Sequence, residues 1–289
     1  MVNRLCVIGV GLIGGSLARA LRNAGQVGEI VGAGRSRTHL ETARALGVID
    51  RFETDLGAAV QGVDLVVIAV PLGAMQAVFE TIAPRLAPDT VLTDVGSAKG
   101  SVVAAAVTAF GELPGTLVPG HPIAGTEKSG EEASFAELFQ HRRVILTPHA
   151  SVSSAALEKV RAMWAAAGAQ VVETSVEHHD QVLAATSHLP HMLAYALVDT
   201  LARMDDSREI FDYAAGGFRD FTRIASSDPQ MWHDICVANR TALLEVLERF
   251  TDDLGQLTEA IRCGDSDYLR ETFTRAKQER DQFCDTGDV

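Results

Sequence analysis

Six consecutive apolar residues, Leu-Val-Val-Ile-Ala-Val at positions 65–70, constrain the fold of this chain more than any other feature of its sequence. A continuous apolar strand must be covered on both faces, as the strands of a parallel sheet are, whereas a half-exposed strand alternates apolar and polar residues. Further short apolar runs alternate with helical stretches at 5–10, 29–34, 90–95, 116–119, 143–147 and 170–173. This alternation predicts an α/β fold with a doubly wound parallel sheet.

The character of the sequence changes after position 174. Strand patterns stop there, and the remaining residues predict helices that are interrupted at Pro190, at Gly216-Gly217 and at Pro229. Apolar residues recur at helical spacing along the longest of these stretches, 229–263. That stripe predicts a helical core or a two-fold homodimer interface, and the two are compatible. We therefore expect two domains, an α/β domain at 1–174 and an all-α domain at 175–289.

Composition excludes several classes of function. The formal charge is −13, and no cluster of Lys and Arg offers the basic surface that nucleic acids require. The apolar runs are far shorter than the roughly 20 residues of a membrane span, and the first residues lack the basic start of a signal peptide. We expect a cytoplasmic protein with reduced thiols, because no CxxC or metal-type spacing links its cysteines. These are Cys6, Cys236, Cys263 and Cys284.

A glycine-rich turn, Gly9-Val10-Gly11-Leu12-Ile13-Gly14, joins the first predicted strand to the first predicted helix. Its glycines permit a tight turn, close approach of a pyrophosphate and close packing of helix on strand, while the helix N-terminus supplies N–H groups for phosphates. The pattern predicts a Rossmann-type dinucleotide-binding domain, and a glycine turn without a ligand is the alternative. The expected cofactor contacts are Gly9, Gly11, Leu12, Ile13, Gly14, Val70, Pro71 and Ser97.

The segment after the second strand, Gly34-Arg35-Ser36-Arg37, bears on the choice between the two nicotinamide dinucleotides. NAD-preferring folds place Asp or Glu about 20 residues past the glycines to hold the ribose 2′-hydroxyl. Arg35, Ser36 and Arg37 instead suit a 2′-phosphate, which Arg can grip bidentately. The segment favours NADP over NAD, unless both arginines are merely solvated.

Three later stretches carry polar residues whose free-energy cost in a folded protein is not explained by a structural role alone. They are TDVGSAKG at 93–100, GHPIAGTEKSG at 120–130, and a helical group of SHLPH at 187–191, GGFRDFTRIASSDP at 216–229 and MW at 231–232. With GVGLIGGS at 9–16, they resemble the prephenate/arogenate (cyclohexadienyl) dehydrogenase family, in order and over nearly the whole chain. GHPIAGTEKSG and SHLPH are highly specific, whereas the glycine motif alone is not. Without a sign of a fused chorismate mutase or regulatory domain, the resemblance is to the monofunctional form.

The resemblance implies NAD(P)-dependent oxidative decarboxylation of prephenate or arogenate on the route to tyrosine. In that reaction hydride leaves the carbinol carbon, a base takes the hydroxyl proton, and loss of CO2 makes the ring aromatic. His121 is the expected base, because neutral imidazole titrates near working pH; a buried histidine capping a turn is the alternative. Ser97 is expected to orient the imidazole or to bridge substrate and cofactor, unless it only caps a helix.

The helical motifs imply contacts to an anionic substrate. Arg223 would bind the ring carboxylate through a charge-assisted hydrogen bond, although Asp220 could simply pair with it. His188 and His191 could face one cavity, and His191 favours prephenate because relatives strict for arogenate tend to lack it. A metal is not expected, since no carboxylate or cysteine completes a ligand set nearby. The pocket edge is assigned to Thr126, Glu127 (which could equally be a solvated loop acid), Lys128, Gly216 and Trp232.

Two other functions remain open at this level. Another two-domain dehydrogenase, such as a 3-hydroxyacid dehydrogenase or an imine reductase, would usually place a catalytic lysine in the helical half and lack GHPIAGTEKSG. An NADP-sensing regulator without activity would bind cofactor but would have lost its base. If helices of a homodimer carry the substrate contacts, the site would draw on both subunits.

Overall fold

A parallel sheet dominates the computed structural model of the protein, which describes residues 1–126 and 128–285. Its strands are β1 (Val2–Ile8), β2 (Val27–Ala33), β3 (Arg51–Glu53), β4 (Leu65–Ile68), β5 (Val91–Asp94) and β6 (Leu117–Val118). They lie in the order β3-β2-β1-β4-β5-β6, and every neighbouring pair is parallel. The strand order reverses between β1 and β4, which is where doubly wound sheets bind their ligands. The predicted fold class is confirmed.

The apolar run at 65–70 is continuous because both faces of β4 are buried. Leu65 and Val67 belong to the hydrophobic core on one face of the sheet, while Val66 and Ile68 belong to the core on the other. All four side chains are fully buried, and burying a residue of this size contributes roughly 1.5–3 kcal/mol. A polar side chain at any of these four positions would be buried without water to hydrogen-bond it, whichever face of the sheet it pointed to.

Helices cover this sheet, and two compact units divide the chain, Met1–Arg240 and Thr241–Val289. The helices between the strands of the first unit are α1 (Leu12–Asn23), α2 (Arg37–Ala45), α3 (Leu56–Ala59), α4 (Met75–Ile82), α5 (Lys99–Phe110) and α6 (Ser154–Ala166). Short 3-10 turns lie at Leu72–Ala74, Ala83–Arg85 and Ala136–Phe139.

A second, three-stranded sheet differs from the expected single parallel sheet. It consists of β7 (Gly120–Pro122), β8 (Arg143–Leu146) and β9 (Gln170–Glu173), with β7 antiparallel and β9 parallel to β8. The runs at 143–147 and 170–173 are therefore strands, as predicted, but of a separate sheet. β7 carries His121 and pairs it with Ile145. A three-residue strand containing glycine and proline gives no periodic signal, and the equally short β3 also escaped prediction.

The described chain is helical after β9, as the sequence predicts. The helices that complete the first unit are α7 (Val176–Leu183), α8 (Leu189–Ala202), α9 (Ser207–Asp212), α10 (Gly216–Thr222) and α11 (Pro229–Ala238). A π-type turn over Ala184–His188 joins α7 to α8, and a 3-10 turn at Arg223–Ser226 follows α10. Pro190 has no N–H for the carbonyl four residues earlier, so a regular α-helix cannot continue through it. Widened turns of this kind are frequent at functional sites.

The second unit consists of most of α12 (Arg240–Cys263) and of α13 (Ser266–Asp285). Asn239 separates α12 from α11, so the predicted stretch at 229–263 is two helices. Large apolar side chains on the second unit are exposed, among them Leu254, Ile261 and Phe273. In the part of the chain that the structure describes, no helix combines the length and the apolar character needed to cross a membrane.

Candidate active site

The glycine turn lies at the carboxyl end of β1, as the sequence predicts, and leads directly into α1. Gly9 has a φ of +96°, and a Cβ there would lie 2.3 Å from the carbonyl oxygen of Ala69. A Cβ on Gly14 would lie equally close to the carbonyl oxygen of Gly9, whereas one on Gly11 would meet no atom within 4 Å. Gly9 and Gly14 are therefore required by the turn itself, and Gly11 faces open space.

The start of α1 fits the pyrophosphate of a dinucleotide. Its N-cap is Gly11, without a side-chain cap, and its first turn contains no acidic residue. The N–H groups at Leu12 and Ile13 are thus left for an anion, which the helix dipole also favours. Val70 borders the turn, since its Cγ1 lies 3.3 Å from the Cβ position of Gly9, and Pro71 follows it at the surface.

The three residues that favour NADP lie between the end of β2 and the first residue of α2, and all are exposed. The Ser36 hydroxyl caps α2 by accepting a hydrogen bond from the His39 N–H at 3.4 Å. Arg37 donates to Glu41 at 2.8 Å and lies over the ring of Phe52. The Arg37 guanidinium therefore has a competing carboxylate, and a 2′-phosphate would have to share it or displace it.

A buried ion pair fixes the carboxyl end of β5 to β7. Lys99 is fully buried and donates from Nζ to Asp94 and, at 2.6 Å, to the carbonyl oxygen of Gly120. Asp94 also accepts from the N–H groups of Gly96, at 2.7 Å, and Gly120, at 3.2 Å. Burial lowers the pKa of Lys99, and the neighbouring Asp94 carboxylate opposes that shift. The residue next to Gly120 is His121, so this pair holds its strand in place.

We expect Lys99→Met to lower the free energy of unfolding by about 3–5 kcal/mol, because it leaves the Asp94 carboxylate buried without its counterion. Urea denaturation of the two proteins measures the difference. Lys159→Met is the matched control, since Lys159 is exposed on α6 and its loss should change stability by no more than about 0.5 kcal/mol. Equal stabilities of the two variants would contradict the structural role of Lys99.

A chain of three side chains runs from α7 to His121. Asp180 Oδ1 lies 2.7 Å from His179 Nδ1, and His179 Nε2 lies 2.9 Å from His121 Nδ1. Both imidazoles are buried. The Asp180 carboxylate also accepts from the N–H groups of Lys99 and Gly100, each at 2.8 Å, and so caps α5. We call Asp180, His179 and His121 the relay.

The charges in the relay follow from its surroundings. Burial raises the pKa of Asp180, but hydrogen bonds from His179, Lys99 and Gly100 outweigh it, and the net pKa is lowered. Burial lowers the pKa of His121 well below its usual value, and His179, Lys99 and His188 act in the same direction. Near neutral pH the relay therefore consists of a carboxylate and an uncharged His121.

These charges define the hydrogen positions. An ionised carboxylate only accepts, so His179 Nδ1 carries a hydrogen and, in a neutral ring, Nε2 is an acceptor. His121 must then donate from Nδ1, and its Nε2 is left with a lone pair. The relay thus presents His121 Nε2 as a proton acceptor.

Ser97 makes no hydrogen bond to His121 among the described residues, where the partner of the ring is His179. It is half-buried after β5, and the Nδ1 atom of His121 is occupied by His179. It does not cap α5 either, since the N-cap is Ala98 and the capping carboxylate is that of Asp180. The orienting of His121 and the bridging of substrate and cofactor both stay predictions for Ser97.

Two histidines and a tryptophan from the helical half form an aromatic cluster. The His191 ring stacks on Trp232, with centroids 3.7 Å apart and planes inclined by 20°, and the His188 ring lies 6.1 Å from Trp232. His191 Nδ1 lies 2.8 Å from the carbonyl oxygen of Ser187. Burial lowers the pKa of His191, that contact opposes the shift, and the positive charge of Arg223 adds to it. Arg223 is therefore a near neighbour of this cluster.

The other expected substrate contacts are at the surface. Thr126 and Lys128 are exposed in the segment after β7, where the Lys128 N–H donates to Thr126 Oγ1 at 3.2 Å. Gly216 begins α10 and is also exposed. Glu127 lies outside the described residues.

Sequence reasoning missed His179, Asp180 and the Asp94–Lys99 pair. A signal was present for the first two, since the run His178-His179-Asp180 begins only nine positions before the SHLPH motif. Nothing in the sequence says which of the two histidines faces inwards. In the structure His178 is exposed and His179 is buried.

The fold and the site place the protein among the nicotinamide-dependent dehydrogenases. Residues 17–173 match the family model described as prephenate dehydrogenase, nucleotide-binding domain, and residues 175–275 match that of its dimerization domain. Because these matches cover most of the sequence, the chain belongs to the prephenate dehydrogenase family.

Individual relatives resemble the chain over nearly its full length. A cyclohexadienyl dehydrogenase of Zymomonas mobilis is 42% identical over 96% of this chain and 94% of its own. The prephenate dehydrogenase of Aquifex aeolicus, solved with hydroxyphenyl propionate and NAD+, superimposes with a TM-score of 0.90 at 36% identity, covering 97% and 98% of the two chains. Synechocystis arogenate dehydrogenase gives a TM-score of 0.81 at 28% identity, covering 97% and 99%.

Proposed function

We propose that this protein catalyses the NAD(P)-dependent oxidative decarboxylation of prephenate, with arogenate as a second substrate. The observation that carries the proposal is the relay, which presents the lone pair of His121 Nε2 beside the carboxyl end of β5. Membership of the family supplies the substrate class, since relatives of the chain are named prephenate dehydrogenase or arogenate dehydrogenase.

The residues of the chain divide the reaction between them. A dinucleotide held at the glycine turn and the start of α1 would supply the acceptor for the hydride on the ring carbon that bears the hydroxyl group. His121 Nε2 takes the hydroxyl proton, and the positive charge that develops on the imidazole is stabilised through His179 by the Asp180 carboxylate. The oxidised ring then loses CO2 from its quaternary carbon and becomes aromatic. Ser97, at the end of β5, would bridge the substrate and the cofactor.

Substrate binding is assigned to the aromatic cluster and to Arg223. Prephenate has two carboxylates, and an acidic protein must oppose its own field to bind them. We assign the ring carboxylate to Arg223 and the pyruvyl side chain to His191. The supporting observation is that Arg223 is close enough to His191 to lower its pKa. Thr126, Lys128 and Glu127 would edge the pocket, and Gly216 would line it from the start of α10.

We expect Arg223→Ala to raise KM for prephenate by roughly tenfold to a hundredfold, the usual effect of removing one charge-assisted hydrogen bond. The change in kcat should be smaller, because the ring carboxylate is bound in both the ground state and the transition state. Steady-state kinetics measures both constants. Arg219→Ala, one turn earlier on α10 and also exposed, is the matched control. An unchanged KM would remove Arg223 from the binding site.

For the cofactor we propose a preference for NADP over NAD, supported by Arg35 and Arg37 and by the absence of a carboxylate between Gly34 and Arg37. Replacing both arginines by alanine should raise KM for NADP by roughly tenfold and leave KM for NAD within about twofold. Arg44→Ala, exposed near the end of α2, controls for the loss of surface charge. Equal losses with the two cofactors would contradict the assignment.

The chain is also proposed to act as a homodimer, with a cofactor domain at 1–174 and a domain for dimer contacts and substrate at 175–289. The matched dimerization-domain model supports this, as do the exposed apolar side chains of the second unit, such as Leu254 and Ile261. An isolated monomer would leave these groups in water.

The test is to follow near-ultraviolet absorbance of the reduced nicotinamide with prephenate or arogenate and with NADP or NAD, in all four combinations. We expect the fastest reduction with prephenate and NADP. Turnover with arogenate alone would contradict the role given to His191. No reduction in any combination, with the cofactor still bound, would favour a cofactor-sensing regulator or a different dehydrogenase.

A further inference from the structure

Asn239 joins the relay to the aromatic cluster, and no role in the reaction described above uses it. It lies between α11 and α12 and is 4% exposed. Its Nδ2 lies 2.8 Å from the backbone carbonyl oxygen of Asp180 and 3.1 Å from His188 Nδ1. One side-chain nitrogen thus contacts both the backbone of a relay residue and a histidine of the SHLPH motif.

The carbonyl of Asp180 determines which way round the Asn239 amide must be. A backbone carbonyl only accepts, so the amide atom that faces it has to be the NH2 group. The second hydrogen of that NH2 group points to His188 Nδ1, which must then accept. A neutral imidazole that accepts at Nδ1 carries its hydrogen on Nε2.

His188 is held in the neutral form that this reasoning requires. Burial lowers its pKa to about 4; the Asp180 carboxylate opposes that shift, and His179 and His191 add to it. Because an imidazole places its two nitrogens on different edges, the Nε2 hydrogen points away from Asn239. The ring is 1% exposed, so its Nε2 hydrogen lies in the protein interior and not at the outer surface.

The Nε2–H of His188 has no partner among the described residues, and neither does the Nε1–H of Trp232 in the same cluster. A buried donor without an acceptor costs about 1–3 kcal/mol, and two adjacent cases are unusual in a well-packed protein. Both groups can only donate, since the indole N–H has no lone pair to offer. The cluster therefore lacks an acceptor, which an oxygen atom of a bound anion would supply.

We propose that Asn239 is a positioning residue that fixes His188 in its Nε2–H tautomer, so that His188 donates a hydrogen bond to a carboxylate or keto oxygen of the substrate. The identity of the substrate rests on the proposed function, whereas the tautomer of His188 does not. The consequence is that Asp180 determines the role of Nε2 in two histidines, and the two roles are opposite. Its carboxylate makes His121 Nε2 an acceptor through His179, and its carbonyl makes His188 Nε2 a donor through Asn239.

The tautomer is tested first, on the substrate-free enzyme, by two-dimensional 15N–1H NMR of protein labelled in its histidine rings. His188→Gln identifies the signals of His188 by their loss. We expect a neutral Nε2–H ring that does not titrate between pH 5.5 and pH 8, in keeping with a pKa of about 4. An Nδ1–H ring, or a titration near pH 6.5, would overturn the proposal whether or not the enzyme oxidises prephenate.

The positioning role is tested by a double-mutant cycle on Asn239→Leu, which keeps the size of the side chain and removes its hydrogen bonds. With His188 present, we expect Asn239→Leu to raise KM for prephenate roughly tenfold and to change kcat less. In the His188→Gln background the same substitution should change KM by less than about twofold, because the glutamine amide donates without needing a tautomer.

A purely structural role of Asn239 at the end of α11 predicts a different result. KM and kcat would then change by similar factors in both backgrounds, and this outcome would overturn the proposal. Asn23→Leu is the matched control, since Asn23 is exposed at the end of α1. If Asn239→Leu does not fold, the tautomer of His188 in the unsubstituted protein still decides between the two roles.

Discussion

Replacing His121 by asparagine is expected to lower kcat by roughly 10²–10⁴-fold, the usual contribution of a positioned general base. The asparagine amide can still donate to His179 from about the place of Nδ1, so the packing around the relay should persist. It has no basic nitrogen at the position of Nε2, and the hydroxyl proton would have to go to water. Single-turnover reduction of the nicotinamide measures the loss in the chemical step.

The control for His121→Asn is the same substitution at His178, which is exposed two residues before Asp180. His178→Asn should keep the kcat of the unsubstituted enzyme. Cofactor affinity, measured by fluorescence titration, should be the same for both variants, because neither side chain is part of the glycine turn. A rate for His121→Asn near that of the unsubstituted enzyme would remove His121 as the base.

The pH dependence of kcat/KM should report the lowered pKa of His121 in the unsubstituted enzyme. Burial, His179, Lys99 and His188 all disfavour its protonated form. A base acts when it is neutral, so activity should be retained as pH falls through 6.5 and should be lost only as pH falls through the lowered pKa.

The fold was predictable because its main signals are local. The run at 65–70 reflects the burial of β4 on both faces, and the glycine turn reflects a backbone that leaves no room for a Cβ at Gly9 or Gly14. The second sheet was not predictable in the same way. Its β7 has three residues, two of them Gly120 and Pro122, and forms only because the Asp94–Lys99 pair and β8 hold it.

The site was predictable only in part, for a similar reason. His121, His188 and His191 stand in motifs that can be recognised along the chain. The residues that determine the protonation of these histidines lie outside those motifs. His179 is 58 positions from His121, and Asn239 is 51 positions from His188. Their roles depend on contacts between α7, α11 and β7 that no periodicity in the sequence encodes. Hydrogen positions are a tertiary property, and a motif gives only the residue that carries them.

Asp180→Asn should lower kcat by roughly 10²–10⁴-fold, close to the loss caused by removing His121 itself. If the new NH2 group faces His179, that ring must accept at Nδ1 and donate from Nε2, and His121 is forced into the wrong tautomer for a base. If it faces Gly100 instead, His179 keeps its bond but loses the charge that stabilises the imidazolium. The equivalent change in a Ser-His-Asp triad costs about 10⁴-fold in kcat.

Loss of activity in Asp180→Asn has to be separated from loss of folding, since the carboxylate also caps α5 through Lys99 and Gly100. The lost cap should lower stability by about 0.5–2 kcal/mol, which urea denaturation measures. Asp199→Asn, exposed on α8, controls for the change in charge. Asn239 bonds the backbone carbonyl of residue 180, which the substitution leaves in place. His188 should therefore keep its Nε2–H tautomer in Asp180→Asn, even though His121 no longer acts as a base there. A kcat of this variant within about twofold of the unsubstituted enzyme would show that the relay does not determine the tautomer or the basicity of His121.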